Sequence, residues 1–336
     1  MGIRQKYYKL MEQNNETMVS VGMITYNHEP YIAQAIEGVL AQKTNFSFEL
    51  IIGEDCSTDN TAAIIKEYAQ KYPDILKARY NISNLGVMVN AVETMQQCTG
   101  KYMAFCEGDD YWTDQYKLQK QVDFLEANED YSLCFNETDF LYGDILKSDQ
   151  YQKMIPEESD ILQLAQGNYI YTNTAVFRKS AVNNLPQKIF ESYAGDYFLF
   201  LLICQHGKIK KIPEVMGVYR IHENGIWSKL SENNQCEKHL EIFQLIMDYF
   251  KENVQVYDRL KIQYINICLH LIENYKSVDE KKKEEILFLL NKIEPGYFYA
   301  KFAEINERYE NLRGSSKKLI RLLVKKQLNH IKRVLK

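Results

Sequence analysis

Strand-like and helix-like segments alternate through the first 135 residues, and this alternation constrains the fold more than any other feature. Residues 18–25 are apolar and β-rich. Pro30 opens a helical stretch to Gln42, and residues 49–53 read as a second strand. Ser57 or Thr58 can cap a helix that runs to about Tyr72 and stops at Pro73. Residues 76–80 form a third strand, and a helix starts at Ser83 or Asn84 and runs through Met95. Residues 101–106 are a fourth strand and 131–135 a fifth. Strands separated by helices of this length predict an α/β fold with a mostly parallel, doubly wound sheet. In such sheets ligands bind at the carboxyl ends of the strands.

The remainder is less regular. Residues 143–168 are polar and poorly periodic, which predicts a long surface connection. A strand is expected at 174–178, a buried helix at 197–206 closed by Gly207, and a strand at 215–221 leading into His222. From about Asn234 glycine nearly vanishes and helical periodicity dominates, with helices expected at 237–253, 257–275, 280–292 and 297–312. The chain therefore divides into an α/β region, 1–232, and a helical region, 233–336. Residues 315–336 carry eight Lys or Arg and no acid, with Ile320, Leu323, Val324, Leu328, Ile331 and Leu335 on one helical face. That pattern suits a peripheral membrane contact, or a helix packed on its own domain or a partner. The long helices could also pair between chains in a homo-oligomer.

Composition excludes several classes. With 46% hydrophobic and 26% charged residues, 336 residues can build a sizeable core. A net charge of −4 gives no basis for binding nucleic acid. The seven cysteines are scattered and include no Cys-x-x-Cys, which argues against a disulfide framework or zinc site and for a reducing, cytoplasmic setting. The N-terminus shows no apolar signal segment, and the longest apolar run, 198–204, falls far short of the roughly 20 residues that span a bilayer. The expectation is a protein that is soluble, or peripheral at the inner face of the membrane.

Polar clusters follow the predicted strand ends in order. They are Thr25-Tyr26-Asn27-His28-Glu29, then Glu54-Asp55-Cys56-Ser57-Thr58-Asp59, then Asn84-Leu85-Gly86, then Glu107-Gly108-Asp109-Asp110. Two adjacent carboxylates at a strand mouth repel each other, and a hard divalent cation carrying phosphate removes that cost. Each cluster alone is weak evidence. Their shared place at one sheet edge is strong.

These motifs, with Val19-Ser20-Val21 before the first and Tyr111-Trp112 after the last, resemble the family 2 glycosyltransferases, which adopt the GT-A fold. The resemblance spans about residues 18–228. It implies inverting transfer from a nucleotide-diphosphate sugar, UDP-linked by expectation, to a glycan or lipid-linked acceptor in surface polysaccharide or glycan assembly. By the same resemblance Asp55 accepts from a uracil N–H, Tyr26 packs on the base and Thr25 shapes the pocket. Asn27, Glu29, Asn84 and Gly86 complete the nucleotide-sugar site. Asp110 holds Mn²⁺ or Mg²⁺ on the diphosphate, Asp109 points toward ribose or sugar, and Glu107 supports them. Tyr219-Arg220-Ile221-His222 resembles the family's closing segment, with Arg220 pairing with phosphate and His222 binding metal or pyrophosphate. Asp196 stands where the family has its base, although Gly195 precedes it where Glu is common. Cys56 replaces a common glycine. His28 and His206 are read as structural. Two rivals are a nucleotidyltransferase, which lacks its glycine-rich basic loop after Thr25, and a silent nucleotide-sugar-binding scaffold.

Overall fold

The computed structural model describes residues 17–274, 280–297 and 300. Strands β1 (Val19–Thr25), β2 (Phe48–Glu54), β3 (Leu76–Tyr80) and β4 (Tyr102–Phe105) alternate with helices α1 (Ile32–Leu40), α2 (Thr61–Lys71) and α3 (Val87–Gln97). All four strands are parallel and lie in the order β3-β2-β1-β4. β1 and β4 are buried on both faces, which is why they read as continuous apolar runs rather than alternating ones.

Beyond β4 the sheet becomes mixed. β5 (Tyr111–Trp112) precedes helix α4 (Lys117–Ala127), and β6 (Tyr131–Tyr142) runs well past the predicted end. The polar stretch expected to be a surface connection instead contains β7 (Ile145–Ser148), α5 (Gln150–Met154), β8 (Glu158–Ser159) and α6 (Ile161–Leu164). These elements are too short to show a period, and side-chain caps start both helices: Asp149 accepts from Tyr151 N, and Asp160 from Leu162 N and Gln163 N. β9 (Ala175–Arg178) enters antiparallel between β4 and β6. Helix α7 (Asp196–Cys204) leads to β10 (Lys208–Ile221), which is parallel to β6 with register shifts near Ile212 and Val215. The path continues β9-β6-β10-β5, with β7 on β6 and β8 on β10, ten strands in all.

From Tyr197 to Cys204 every residue of α7 is buried, so the helix is apolar all round. Helices α8 (Glu232–Tyr249) and α9 (Val254–Asn274) pack against it, followed by α10 (Glu280–Ile293). Tyr197 meets Phe243, Phe198 meets Tyr249, and Gln263 donates to Tyr197 Oη and to the Ala165 carbonyl. Among the described residues no helix is long and apolar enough to cross a membrane. The basic stretch 315–336 and nearly all of the helix expected at 297–312 lie outside the described residues.

One polar knot lies at the opposite sheet edge from the site. Glu49 accepts from Ser20 Oγ, Thr99 N, Thr99 Oγ1 and Lys77 Nζ at 2.7–2.9 Å. Burial favours its neutral acid, but the hydrogen bonds from Lys77, Thr99 and Ser20 prevail and hold it at about 2 against an ordinary 4.5. A depressed carboxylate stabilises fully above its unfolded value and loses that stabilisation as pH falls toward the folded one. Unfolding free energy is expected to drop by roughly 2–3 kcal/mol between pH 4.5 and 2 through this group. Denaturant melts of Glu49→Gln should lack that share of the slope; an unchanged slope would refute the assignment.

Candidate active site

The first two loops are bound to each other before any ligand arrives. Asn27 sits at φ 56°, a left-handed conformation that Asn tolerates. Its N–H donates to Ser57 Oγ and its Oδ1 accepts from Thr58 N. His28 N donates to Thr61 Oγ1, Glu29 N donates to Asp59, and the Glu29 carboxylate accepts from Asn60. In this arrangement Asn27 and Glu29 shape the pocket rim by holding the β2 loop. Tyr26, between β1 and this loop, is 42% exposed. Cys56 has φ 61°, the conformation that makes glycine common there.

Asp55 is buried at the end of β2. Its Oδ1 accepts from Asn81 Nδ2 and Leu85 N, and its Oδ2 from Gly86 N, at 2.7–3.0 Å. Asn84 Oδ1 also accepts from Gly86 N. Gly86 has φ 82° and open space around it, so backbone conformation rather than crowding requires the glycine. Asp55 thus organises the β3–α3 loop and keeps one lone-pair site, on Oδ2, for a further donor.

The β4 loop carries the dense charge. A Cβ on Gly108 would come within 2.6 Å of Thr25 Oγ1 and 2.9 Å of His28 Nδ1. Only glycine lets this loop lie on the β1 loop, and that approach brings His28 to the acids. Asp109 Oδ2 is 3.0 Å from His222 Nε2 and 3.7 Å from His28 Nε2. Burial would raise the Asp109 pKa, but the His222 hydrogen bond and the His28 charge prevail and hold it low. Burial itself keeps His28 below its ordinary value, toward the neutral imidazole that a metal needs. Glu107 and Asp110 are pushed up, first by burial and then by the charge of Asp109.

His28, Asp109 and His222 each present one ligand atom, all within 4.8 Å of one another. Around them His28 Nδ1, His222 Nδ1, Thr25 Oγ1, Glu107 Oε2 and Asp110 Oδ2 are buried without hydrogen-bond partners. Unpaired buried polar atoms cost free energy, so this concentration marks a place built for a missing charged or polar guest. Two imidazoles and a carboxylate fit a divalent transition ion better than an all-oxygen cation such as Mg²⁺.

Three sequence expectations look different in place. Asp110 lies outside the ligand group, and its Oδ1 accepts from Arg220 N at 2.8 Å. Arg220 directs Nε to the Asp109 carbonyl and Nη2 to Gln34 Oε1, with its guanidinium 4.6 Å over the Tyr31 ring. It ties the β4 loop to the first turn of α1. His28, read as structural, joins the ligand group; an Asn-His pair after β1 could have raised it, but only the fold shows it facing Asp109. β5 explains why His222 arrives at all. Pairing of Gly217 with Trp112 and Val218 with Tyr111 ties the end of β10 beside Asp110. Beneath it, Trp112 Nε1 donates to Asn173 O, and the buried Lys117 Nζ, held at about 7 by burial, lies 4.4 Å from the Trp112 ring.

Asp196 is the first residue of α7, after the cap position rather than at it. Its Oδ2 accepts from Asn168 Nδ2 at 3.1 Å, and burial raises its pKa. Its charge acts on Glu107, so it belongs to the same carboxylate field. The space a Cβ would take at Gly195 is filled by the Met88 thioether end, 2.1 Å away.

The sequence profile of Glycosyl transferase family 2 matches residues 20–185, about half of the chain. An uncharacterized protein of Mycobacterium tuberculosis is 36% identical over 211 residues, 62% of this chain and 60% of that protein, so the chain matches about three-fifths of its relative's length. The Escherichia coli UDP-Glc:alpha-D-GlcNAc-diphosphoundecaprenol beta-1,3-glucosyltransferase WfaP is 27% identical over 213 residues, 62% of this chain and 79% of WfaP. Among solved structures, S. aureus TarS 1–349 in complex with UDP-GlcNAc superposes with a TM-score of 0.63 at 19% identity, covering 83% of this chain and 82% of that one. The sheet is that of the GT-A fold, and the strand-end motifs and profile agree: the chain belongs to glycosyl transferase family 2.

Proposed function

We propose that the chain transfers a sugar, with inversion, from a UDP-linked donor to a hydroxyl of a glycan or lipid-linked saccharide. The observation that carries this reading is the convergence of the His28–Asp109–His222 group, the unpartnered Asp110 and Glu107 oxygens, and Asp196 at one sheet edge. WfaP uses a UDP-sugar and a lipid-diphosphate acceptor, and TarS binds UDP-GlcNAc, which supports the donor class by analogy. Asp55 with the Asn84–Gly86 loop and Tyr26 would receive the base. His28, Asp109 and His222 would hold Mn²⁺, which when bound offsets charge on the departing diphosphate. Asp196 takes the proton of the acceptor hydroxyl as that oxygen bonds to the anomeric carbon and the bond to the diphosphate oxygen breaks. Burial raises its basicity, which suits a general base. The basic stretch 315–336 would add a peripheral membrane contact.

Calorimetric titration of UDP, GDP, dTDP and CMP, with and without Mn²⁺, tests the donor class. UDP binding strengthened by Mn²⁺ and lost in EDTA is the expected outcome. Preference for another nucleotide would overturn the UDP assignment, and no nucleotide binding would overturn the transferase reading.

A further inference from the structure

An aromatic stripe runs from the carboxylate cluster toward the surface and has no part in the chemistry described above. Tyr219 lies on β10 one residue before the Arg220 clamp, paired in register with Phe140 of β6. Ring centres are 5.7 Å apart for Tyr219 and Phe140, 5.8 Å for Tyr219 and Tyr171, and 5.3 Å for Phe140 and Tyr171. Phe140 in turn lies 6.3 Å from Tyr142, which shares its strand face and is 41% exposed. Tyr171 is fixed by its hydroxyl, 3.1 Å from Asp149 Oδ2.

The inner end of this stripe is at the reaction centre. Tyr219 immediately precedes Arg220, whose N–H donates to Asp110 Oδ1 and whose Nε donates to the Asp109 carbonyl. The stripe also lies on the far side of that centre from the nucleotide loops. Asp55 and Gly86 follow β2 and β3, while Phe140 and Tyr219 belong to β6 and β10, with β1, β4 and β9 between them in the sheet. A donor seated at Asp55 with its diphosphate at Asp109 leaves this half to the acceptor.

We propose that Tyr219, Phe140, Tyr171 and Tyr142 form an acceptor platform that binds a neutral pyranose saccharide by stacking on the C–H face of its rings. Aromatic side chains offer large apolar faces with a partial negative charge, which attracts the weakly positive C–H groups of a sugar ring. The rings are not coplanar: Phe140 stands edge-on to Tyr219 and Tyr171, at 84° and 85°, so they form a stepped wall whose most exposed face, that of Tyr142, is at the outer end. Carboxylates flank the stripe, Asp149 on the Tyr171 hydroxyl and Asp110 on the backbone next to Tyr219, which disfavours an anionic sugar there. The proposal rests on the transferase reading and deepens it.

Saturation-transfer NMR on the full chain tests it, with methyl β-glucopyranoside, methyl β-galactopyranoside and methyl β-cellobioside as probes, each with and without UDP and Mn²⁺. Transfer to the ring-face protons of at least one probe is expected, weakened about three- to tenfold in Tyr142→Ser and in Phe140→Leu while UDP affinity is kept. Transfer that is unchanged in both variants overturns the platform, as does no transfer to any probe while UDP still binds. Sugar binding through these rings without UDP binding would leave the platform standing and remove the transferase reading. Failure of both would remove both.

Discussion

Asp196→Asn is expected to lower kcat for sugar transfer by about 10²–10⁴-fold while leaving nucleotide affinity within a factor of two. The substitution keeps shape and keeps an oxygen that can accept from Asn168 Nδ2. It removes only the lone pair that would receive the acceptor proton. It also removes one charge from a buried cluster in which Asp196 and Asp109 both push Glu107 upward. The fold should therefore be as stable as the parent or slightly more so, which separates a chemical loss from a structural one. Because burial raises the Asp196 pKa, the rate should fall as pH drops through that raised value, when the base becomes protonated. Steady-state kinetics with thermal melts would decide. A residual rate above one tenth of the parent's would mean that another group takes the proton.

Asp109→Asn is expected to weaken Mn²⁺ binding at least about 100-fold, equivalent to about 2.7 kcal/mol, and to remove metal-enhanced nucleotide binding with it. Asp109 is the only carboxylate in the ligand group, and its Oδ2 is the atom that both histidines approach. Its carbonyl still accepts from Arg220 Nε after the substitution, so the loop clamp survives. Asp110→Asn makes the contrast. Asp110 Oδ1 receives Arg220 N and stands outside the group, so its loss should cost less metal affinity than the loss of Asp109. Titrating Mn²⁺ into both variants would rank them. A larger loss at Asp110 would restore it as the principal ligand and displace His28. His28→Gln should fall between parent and Asp109→Asn, since it deletes one of two imidazoles.

Much of this was legible in one dimension because parallel strands advertise themselves. A strand buried on both faces needs an unbroken apolar run, so β1, β2 and β4 appear in the sequence within a residue or two of their observed bounds. Their loops then follow at the same sheet edge, and the acidic clusters fall in line. The region 143–168 was not legible, since a four-residue strand or helix shows no period and takes its stability from partners elsewhere in the chain.

The division of roles within the site belongs to the tertiary structure. Asp109 and Asp110 are adjacent in the chain and chemically identical, and the family resemblance gave the metal to Asp110 and the ribose or sugar to Asp109. The turn after β4 sends one carboxylate toward His28 and His222 and the other toward Arg220 N. Gly108 reads as an ordinary turn residue until the packing shows Thr25 and His28 against its missing Cβ. Sequence alone determined the succession of strands and helices through the first 135 residues, the edge at which chemistry collects and the family. Which residues meet there was decided only by packing, because contacts such as β5 on β10 join segments about a hundred positions apart, and no local pattern encodes that distance.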